Sequence, residues 1–192
     1  MKIYTRKGDT GTTGLLYGGR VAKDSALIAA GGAVDEAQAA LGVVRAAVER
    51  DSEVDLLLIN LERDLYVLMA ELATAPANRP KLQAGTSLVT MDMVSALERQ
   101  IDALTGRFPP LSDFVIPGHD SVSAALDVAR TVVRRAEREA VATAVEGSLV
   151  VQYLNRLSDL VWTMARWQEQ GESLLSRTAA GNGGAAGGAG AP

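Results

Sequence analysis

Residues 51–72 read DSEVDLLLINLERDLYVLMAEL, and within them Leu57, Leu58, Leu61, Leu65, Leu68 and Leu72 recur at intervals of three and four. That spacing draws one apolar stripe along an α-helix and does not fit the alternating faces of a strand. Asp51-Ser52 supplies side-chain oxygens for the first free amides, and Pro76 and Pro80 end the run. The same period extends in both directions. Residues 25–49 turn Leu27, Ile28, Val34, Leu41, Val44 and Val48 inward, and the Gly31-Gly32 pair among them implies a close helix–helix approach or a break. A third helix, capped by Thr90 and stopped by Gly106, carries Met93, Leu97, Ile101 and Leu104. A proline-rich crossing segment, RFPPLSDFVIPGHD at 107–120, leads to a fourth helix over 121–145. The fifth, over 149–170, has Tyr153, Leu154, Leu157, Leu160, Val161 and Met164 on its apolar side. Five amphipathic helices predict an all-α fold, a five-helix bundle.

The domain plan is simple. Residues 1–24 are a non-helical arm of the same domain, 25–172 the bundle and 173–192 a tail. From Thr178 the tail reads TAAGNGGAAGGAGAP, too poor in large apolar side chains to fold, and is expected to be disordered.

Composition narrows the chemistry. The chain has 192 residues, and 47% of them are hydrophobic with only two Phe and two Trp, so its core is built from Ala, Leu and Val. A net charge of −4 argues against general nucleic-acid binding. The absence of cysteine excludes disulfides, thiolate metal sites and cysteine nucleophiles. With His119 the only histidine, a di-iron centre built from two Glu-x-x-His pairs cannot be assembled. No cleavable apolar leader and no run of membrane-spanning length are evident, so a soluble cytoplasmic protein is expected.

Against that acidic background the first 23 residues, MKIYTRKGDTGTTGLLYGGRVAK, stand apart, with five glycines, four threonines and five cations against one carboxylate, Asp9. Glycines let backbone amides converge on an anion, and threonine hydroxyls and lysines add donors. The segment reads as a polyphosphate site. On the fourth helix Arg130, Arg134 and Glu137 fall on one face, with Asp127 a turn earlier and Arg135 and Arg138 beside them. This row is either a solvated face laced with ion pairs or a phosphate clamp. Asn155, an unfavourable residue inside a helix, needs a partner on a neighbouring helix or a ligand. Asp35 is placed near the apolar side of the first helix and Glu36 further out, with the arginine row offering Asp35 a counter-charge. Phe114 is either a core plug beneath the crossing segment or a functional aromatic, and His119 an exposed turn residue.

Taken in order, these pieces resemble the PduO-type ATP:cob(I)alamin (corrinoid) adenosyltransferases. The matching stretches are YTRKGDTGTT at 4–13, Arg20, Lys23, VDE at 34–36, FVIPG at 114–118, ARTVVRRAER at 129–138 and YLNRLSD at 153–159. The resemblance spans residues 2–168. It implies a bundle that assembles as a homotrimer with active sites between subunits. It also implies transfer of the 5′-deoxyadenosyl group of ATP to the cobalt of reduced cobalamin or another corrinoid, with release of triphosphate. Thr5, Arg6, Lys7, Gly8, Asp9, Thr13 and Lys23 would surround the triphosphate. Arg134, Arg135, Glu137, Arg138 and Asn155 would complete the site for ATP and Mg²⁺, Glu137 reaching the metal directly or through water. Asp35 and Arg130 would pair across the subunit interface, and Arg134 and Phe114 would be catalytic, the ring lying under the corrin. A reductase and an adenosylcobalamin-dependent acceptor enzyme would be further partners. Ala37, Gln38, His119 and Asp127 depart from the family's pattern. Those departures favour a second reading, an ATP- and corrinoid-binding carrier or regulator with little transferase activity.

Overall fold

The computed structural model describes residues 4–177; the part of the proposed tail from Thr178 onward lies outside the described residues. A short hairpin, β1 (Thr12–Gly14) and β2 (Arg20–Ala22), precedes α1 (Ala26–Ala47) and α2 (Glu53–Leu72). A 3-10 helix (Pro76–Lys81) follows, then α3 (Met91–Thr105), α4 (Ser121–Val141) and α5 (Val150–Gln168). The packing order differs from the chain order: α1 lies between α2 and α4, and α5 between α4 and α3. The core is aliphatic, with Val34, Leu41, Leu58, Leu65, Leu68, Leu126, Leu154 and Leu160 fully enclosed.

The caps explain the boundaries. Ser52 accepts from the Asp55 amide at 3.2 Å and Thr90 from the Met93 amide at 3.3 Å, as their positions in the sequence suggest. The Asp55 carboxylate also takes the Asp51 amide at 3.0 Å and the Arg45 guanidinium at 2.8 Å, and these contacts hold its pKa below the usual range. The strongest cap is one that sequence reading missed. Asp120 Oδ1 accepts from the Val122 and Ser123 amides at 2.7 and 2.8 Å, while Ser123 Oγ takes the Asp120 amide at 3.2 Å. This reciprocal box starts α4, the helix that carries the arginine row. Asp120→Ala is expected to cost about 0.5–2 kcal/mol, read as a lower urea midpoint with an unchanged slope.

Four expectations need correction. Gly31 and Gly32 neither break α1 nor mark a close approach, since a Cβ at either would meet nothing within 4 Å. The loop after α2 contains a helical turn, because Pro76 at its start and Pro80 within it fix φ at helical values. The arm contains β1 and β2, three residues each and too short to show alternation. Residues 173–177 are not a free tail, since Val115 bridges Leu175 in an antiparallel pair. In addition, among the described residues α1 is long and apolar enough to cross a membrane, with mean hydropathy 1.3. Only 28% of that span is buried, on the sides that meet α2 and α4, and part of the remainder lines an apolar groove.

Candidate functional site

The arm is folded by one arginine. From β2, Arg20 donates to Lys7 O at 2.7 Å, Thr12 O at 3.1 Å and Thr12 Oγ1 at 2.8 Å, closing residues 7–12 into a loop. Gly11 sits at φ 80°, open to glycine without strain, and Arg6 adopts φ 60°, a conformation costly for a side-chain-bearing residue. Lys23 lies against Gly8, where a Cβ would stand 3.1 Å from its Nζ. Glycine at position 8 thus makes room for the ammonium group. Thr5, Arg6, Lys7, Asp9 and Lys23 are exposed, and Gly8 and Thr13 half-buried. Among the described residues neither Lys7 nor Lys23 has a carboxylate within ion-pair distance. The arm is seated by Leu16, whose amide donates to Ala73 O at 2.8 Å, and by Asn78, which reaches the carbonyls of Tyr17 and Gly18 at 3.4 Å.

That seat is at the end of the bundle where α4 gives way to α5. Thr74 and Pro76 share a small cavity of about 170 Å³ with Thr143, Val145 and Ser148. Here α4 presents its row. Arg134 is exposed and has no carboxylate partner among the described residues, and Arg138 donates only to Arg134 O at 3.1 Å. Arg135 pairs with Glu36 on α1. Glu137 accepts from Asn155 Nδ2 at 3.0 Å, and Asn155 Oδ1 accepts from Arg156 Nη1 at 2.7 Å, whose Nε donates to Glu98 at 3.0 Å. Asn155 therefore finds its partner on the neighbouring helix, and its amide is fixed from both sides.

Two placements differ from expectation. Asp35 is exposed, with no ion pair in the chain among the described residues, and Glu36 is the α1 carboxylate that meets the row. Arg130 leaves the row and points inward, its Nε 3.5 Å from Asp127 Oδ1 yet without a hydrogen-bond partner. Between α1 and α4, with Glu36 among its lining, runs an apolar groove of about 550 Å³ formed by Ala40, Val43, Ala124 and Val128.

Phe114 is not a core plug. It is 81% exposed, on the rim of a cleft of about 400 Å³ shared with Leu111, Asp113, Val115 and Trp162. His119 is exposed, as expected of a turn residue, with Nε2 3.7 Å from Glu172.

Other charged residues carry the architecture, and the sequence did not disclose them. Arg166 is only 2% exposed and donates to Asp127 at 2.6 Å and Glu169 at 2.8 Å. Glu71, also 2% exposed, accepts from Arg79 at 3.0 Å, the Val89 amide at 2.8 Å and Ser148 at 2.7 Å. Tyr153 donates to Asp64 at 2.9 Å; burial is the main cause raising both pKa values, and the hydrogen bond partly offsets the rise at Asp64. An Asp or Arg within an amphipathic helix ordinarily marks its solvent side, so the only available signal was their coincidence with the apolar stripe.

A helix bundle with uncompensated cations on an arm and on a helix at one end belongs to the class that binds polyanionic ligands. The comparisons make the class specific. The model of the family described as cobalamin adenosyltransferase matches residues 3–168. A corrinoid adenosyltransferase of Mycobacterium tuberculosis is 42% identical over 170 residues, covering 86% of this chain and 87% of its own. A PduO-type ATP:corrinoid adenosyltransferase from Lactobacillus reuteri, solved with cobalamin and ATP as a variant with one phenylalanine replaced by alanine, superposes with a TM-score of 0.80 at 30% identity. That match covers 92% of this chain and 100% of the other. A second variant of that enzyme, with an arginine replaced by lysine and ATP bound, gives 0.78 at 29%, covering 91% of this chain and 100% of its own. The chain belongs to the cobalamin adenosyltransferase family.

Proposed function

We propose that the enzyme transfers the 5′-deoxyadenosyl group of ATP to the cobalt of a reduced corrinoid and releases triphosphate. The carrying observation is the set of cations, Lys7, Lys23 and Arg134, that have no carboxylate partner among the described residues of a chain whose net charge is −4. Triphosphate is the complementary partner. Thr5, Arg6, Lys7, Gly8, Asp9, Thr13 and Lys23 wrap it from the arm, and Arg134, Arg135 and Arg138 hold it from α4.

Cobalt(I) is itself a strong nucleophile, so the reaction needs no protein base. The chain's task is to align C5′ with the cobalt and to stabilise the charge gathering on the departing triphosphate. Arg134 has the freedom to follow that charge, being exposed and bound to no acid among the described residues. Glu137 is fixed by Asn155 with its second oxygen free of that contact. No group of three or more acidic or histidine residues that could hold a metal lies among the described residues. One carboxylate suits a Mg²⁺ ion carried mainly by phosphates and water, and the ion would supply charge neutralisation there. Phe114, projecting from the crossing segment, forms an apolar wall that keeps water and a lower axial ligand from the cobalt.

A homotrimer is the assembly we propose, with the α1–α4 groove covered by a neighbouring copy. Exposed Val43 and Val128 support it, as does an exposed Asp35 that has no ion pair among the described residues. Asp35 and Arg130 would pair between subunits. The expected location is the cytoplasm, with a reductase supplying cobalt(I) and a corrinoid-dependent enzyme taking the product.

The test is incubation with ATP, Mg²⁺ and chemically reduced cobalamin while following the corrinoid spectrum. A light-sensitive Co–C product is expected, whereas tight ATP binding without that product would favour the carrier. Phe114→Ala is expected to reduce turnover with corrinoid by about tenfold or more, from loss of positioning, with the KM for ATP nearly unchanged. Equal damage to both constants would make the ring a structural element.

A further inference from the structure

The segment after α5 has no part in the mechanism above, yet its hydrogen bonds lead to Phe114. Gln170 and Gly171 turn at φ 50° and 89°, Gly171 packed closely on Pro109, and the chain then runs back along the crossing segment. The Ile116 amide donates to Leu174 O at 2.8 Å, and the Ser176 amide to Phe114 O at 2.7 Å. Val115 faces Leu175 between them in an antiparallel bridge. Ser176 Oγ donates to Asp113 Oδ1 at 3.1 Å, and Arg177 lies 3.6 Å from the other oxygen of that carboxylate. At the inner end Ser173 donates to Glu169, which Arg166 joins to Asp127 on α4. One end of the strand is thus pinned to a buried charge cluster and the other to the backbone of residue 114.

The side chain of Phe114, 81% exposed, has little packing to hold it. Its direction is set by its backbone, and both backbone polar groups are committed. The amide donates to Asp113 Oδ1 at 2.7 Å and the carbonyl accepts from Ser176. Asp113 serves both sides of this arrangement, since the oxygen that takes the Phe114 amide also takes Ser176 Oγ. An aromatic that must meet a flat macrocycle at a fixed height benefits from such restraint before the ligand arrives.

We infer that residues 172–177 are a positioning strap, with Ser176 and Asp113 fixing the peptide of Phe114 so that its ring stands ready for the corrinoid. The inference rests on the reading of Phe114 as the corrin wall. Ser176 acts through Phe114 and does not touch the reacting atoms.

Ser176→Pro deletes the amide that holds Phe114 O, at a site outside the helices. It is expected to lower kcat/KM for reduced cobalamin by about tenfold, with the KM for ATP and the thermal midpoint unchanged. Ser176→Ala keeps the amide and gives up only the Oγ contact with Asp113, so its loss should be smaller than that of Ser176→Pro, and an equal loss would overturn the role given to the amide. Combined with Phe114→Ala, Ser176→Pro should add no further loss, because the ring it serves is gone. The strap alone is overturned if Phe114→Ala is damaging and Ser176→Pro is silent, if the two losses are additive, or if Ser176→Pro raises the KM for ATP equally. A Phe114→Ala enzyme as active with cobalamin as the parent would overturn the underlying reading and the strap together.

Discussion

Arg134→Ala is expected to lower kcat/KM for ATP by about ten- to a hundredfold, the equivalent of losing one charge-assisted contact worth about 1.5–3 kcal/mol. The argument starts from what surrounds the guanidinium. Arg135 is matched by Glu36, and Arg166 by Asp127 and Glu169, whereas Arg134 is exposed and faces no carboxylate among the described residues. Removing it therefore leaves no orphaned acid and should cost little stability, so the loss will be read cleanly in turnover. Arg134→Lys separates charge from geometry. A lysine keeps the charge but gives up the planar fork that grips two phosphate oxygens. Recovery of ATP affinity without recovery of kcat would place the guanidinium's role in the transition state. Full activity in Arg134→Ala would remove the residue from the site.

Arg166→Met should be the most destabilising single change in the bundle, at about 3–5 kcal/mol. Its cause is not the loss of an attractive pair as such. The guanidinium is 2% exposed, and without it Glu169 keeps only the Ser173 hydroxyl and Asp127 only the Arg130 guanidinium at 3.5 Å, both carboxylates still buried. For a chain of this size the expected fall in Tm is about 6–20 °C. Replacing all three, as Arg166→Met with Asp127→Asn and Glu169→Gln, should recover much of that loss by removing the charges together. A triple variant no more stable than the single one would show that the cluster's shape matters more than its charge.

The helices were legible because their information is local. The leucine period of α2 and the oxygens of Ser52 and Thr90 lie within a few residues of what they control. The candidate site was half legible. Glycines, threonines and lysines crowd into the arm, and the arginines into one stretch of α4, so their chemistry shows in composition. How each is held does not. Arg20 reaches back to Thr12 and Lys7 through a hairpin of three-residue strands, too short for a pattern. Adjacent helical residues lie about 100° apart, so the breadth assigned to the apolar stripe of α1 decided whether Asp35 or Glu36 would meet the arginines. Asp127 and Arg166 are separated by 39 positions, and no spacing rule links residues that distant. In the sequence Asp127 falls beside the charged row of α4 and nothing singles out Arg166, and their burial follows from the packing of α4 on α5.

Glu71 has a wider consequence. Its two oxygens collect a guanidinium from the 3-10 helix, the amide ahead of α3 and the hydroxyl that opens α5, two residues before the carbonyl on which the arm rests. Lengthening any one of those connections by a residue would withdraw a donor from a carboxylate that water cannot easily reach, and the slack would pass to the other two. Protein engineers should therefore treat the end of this bundle that seats the arm as a single knot, to be transplanted whole or left alone.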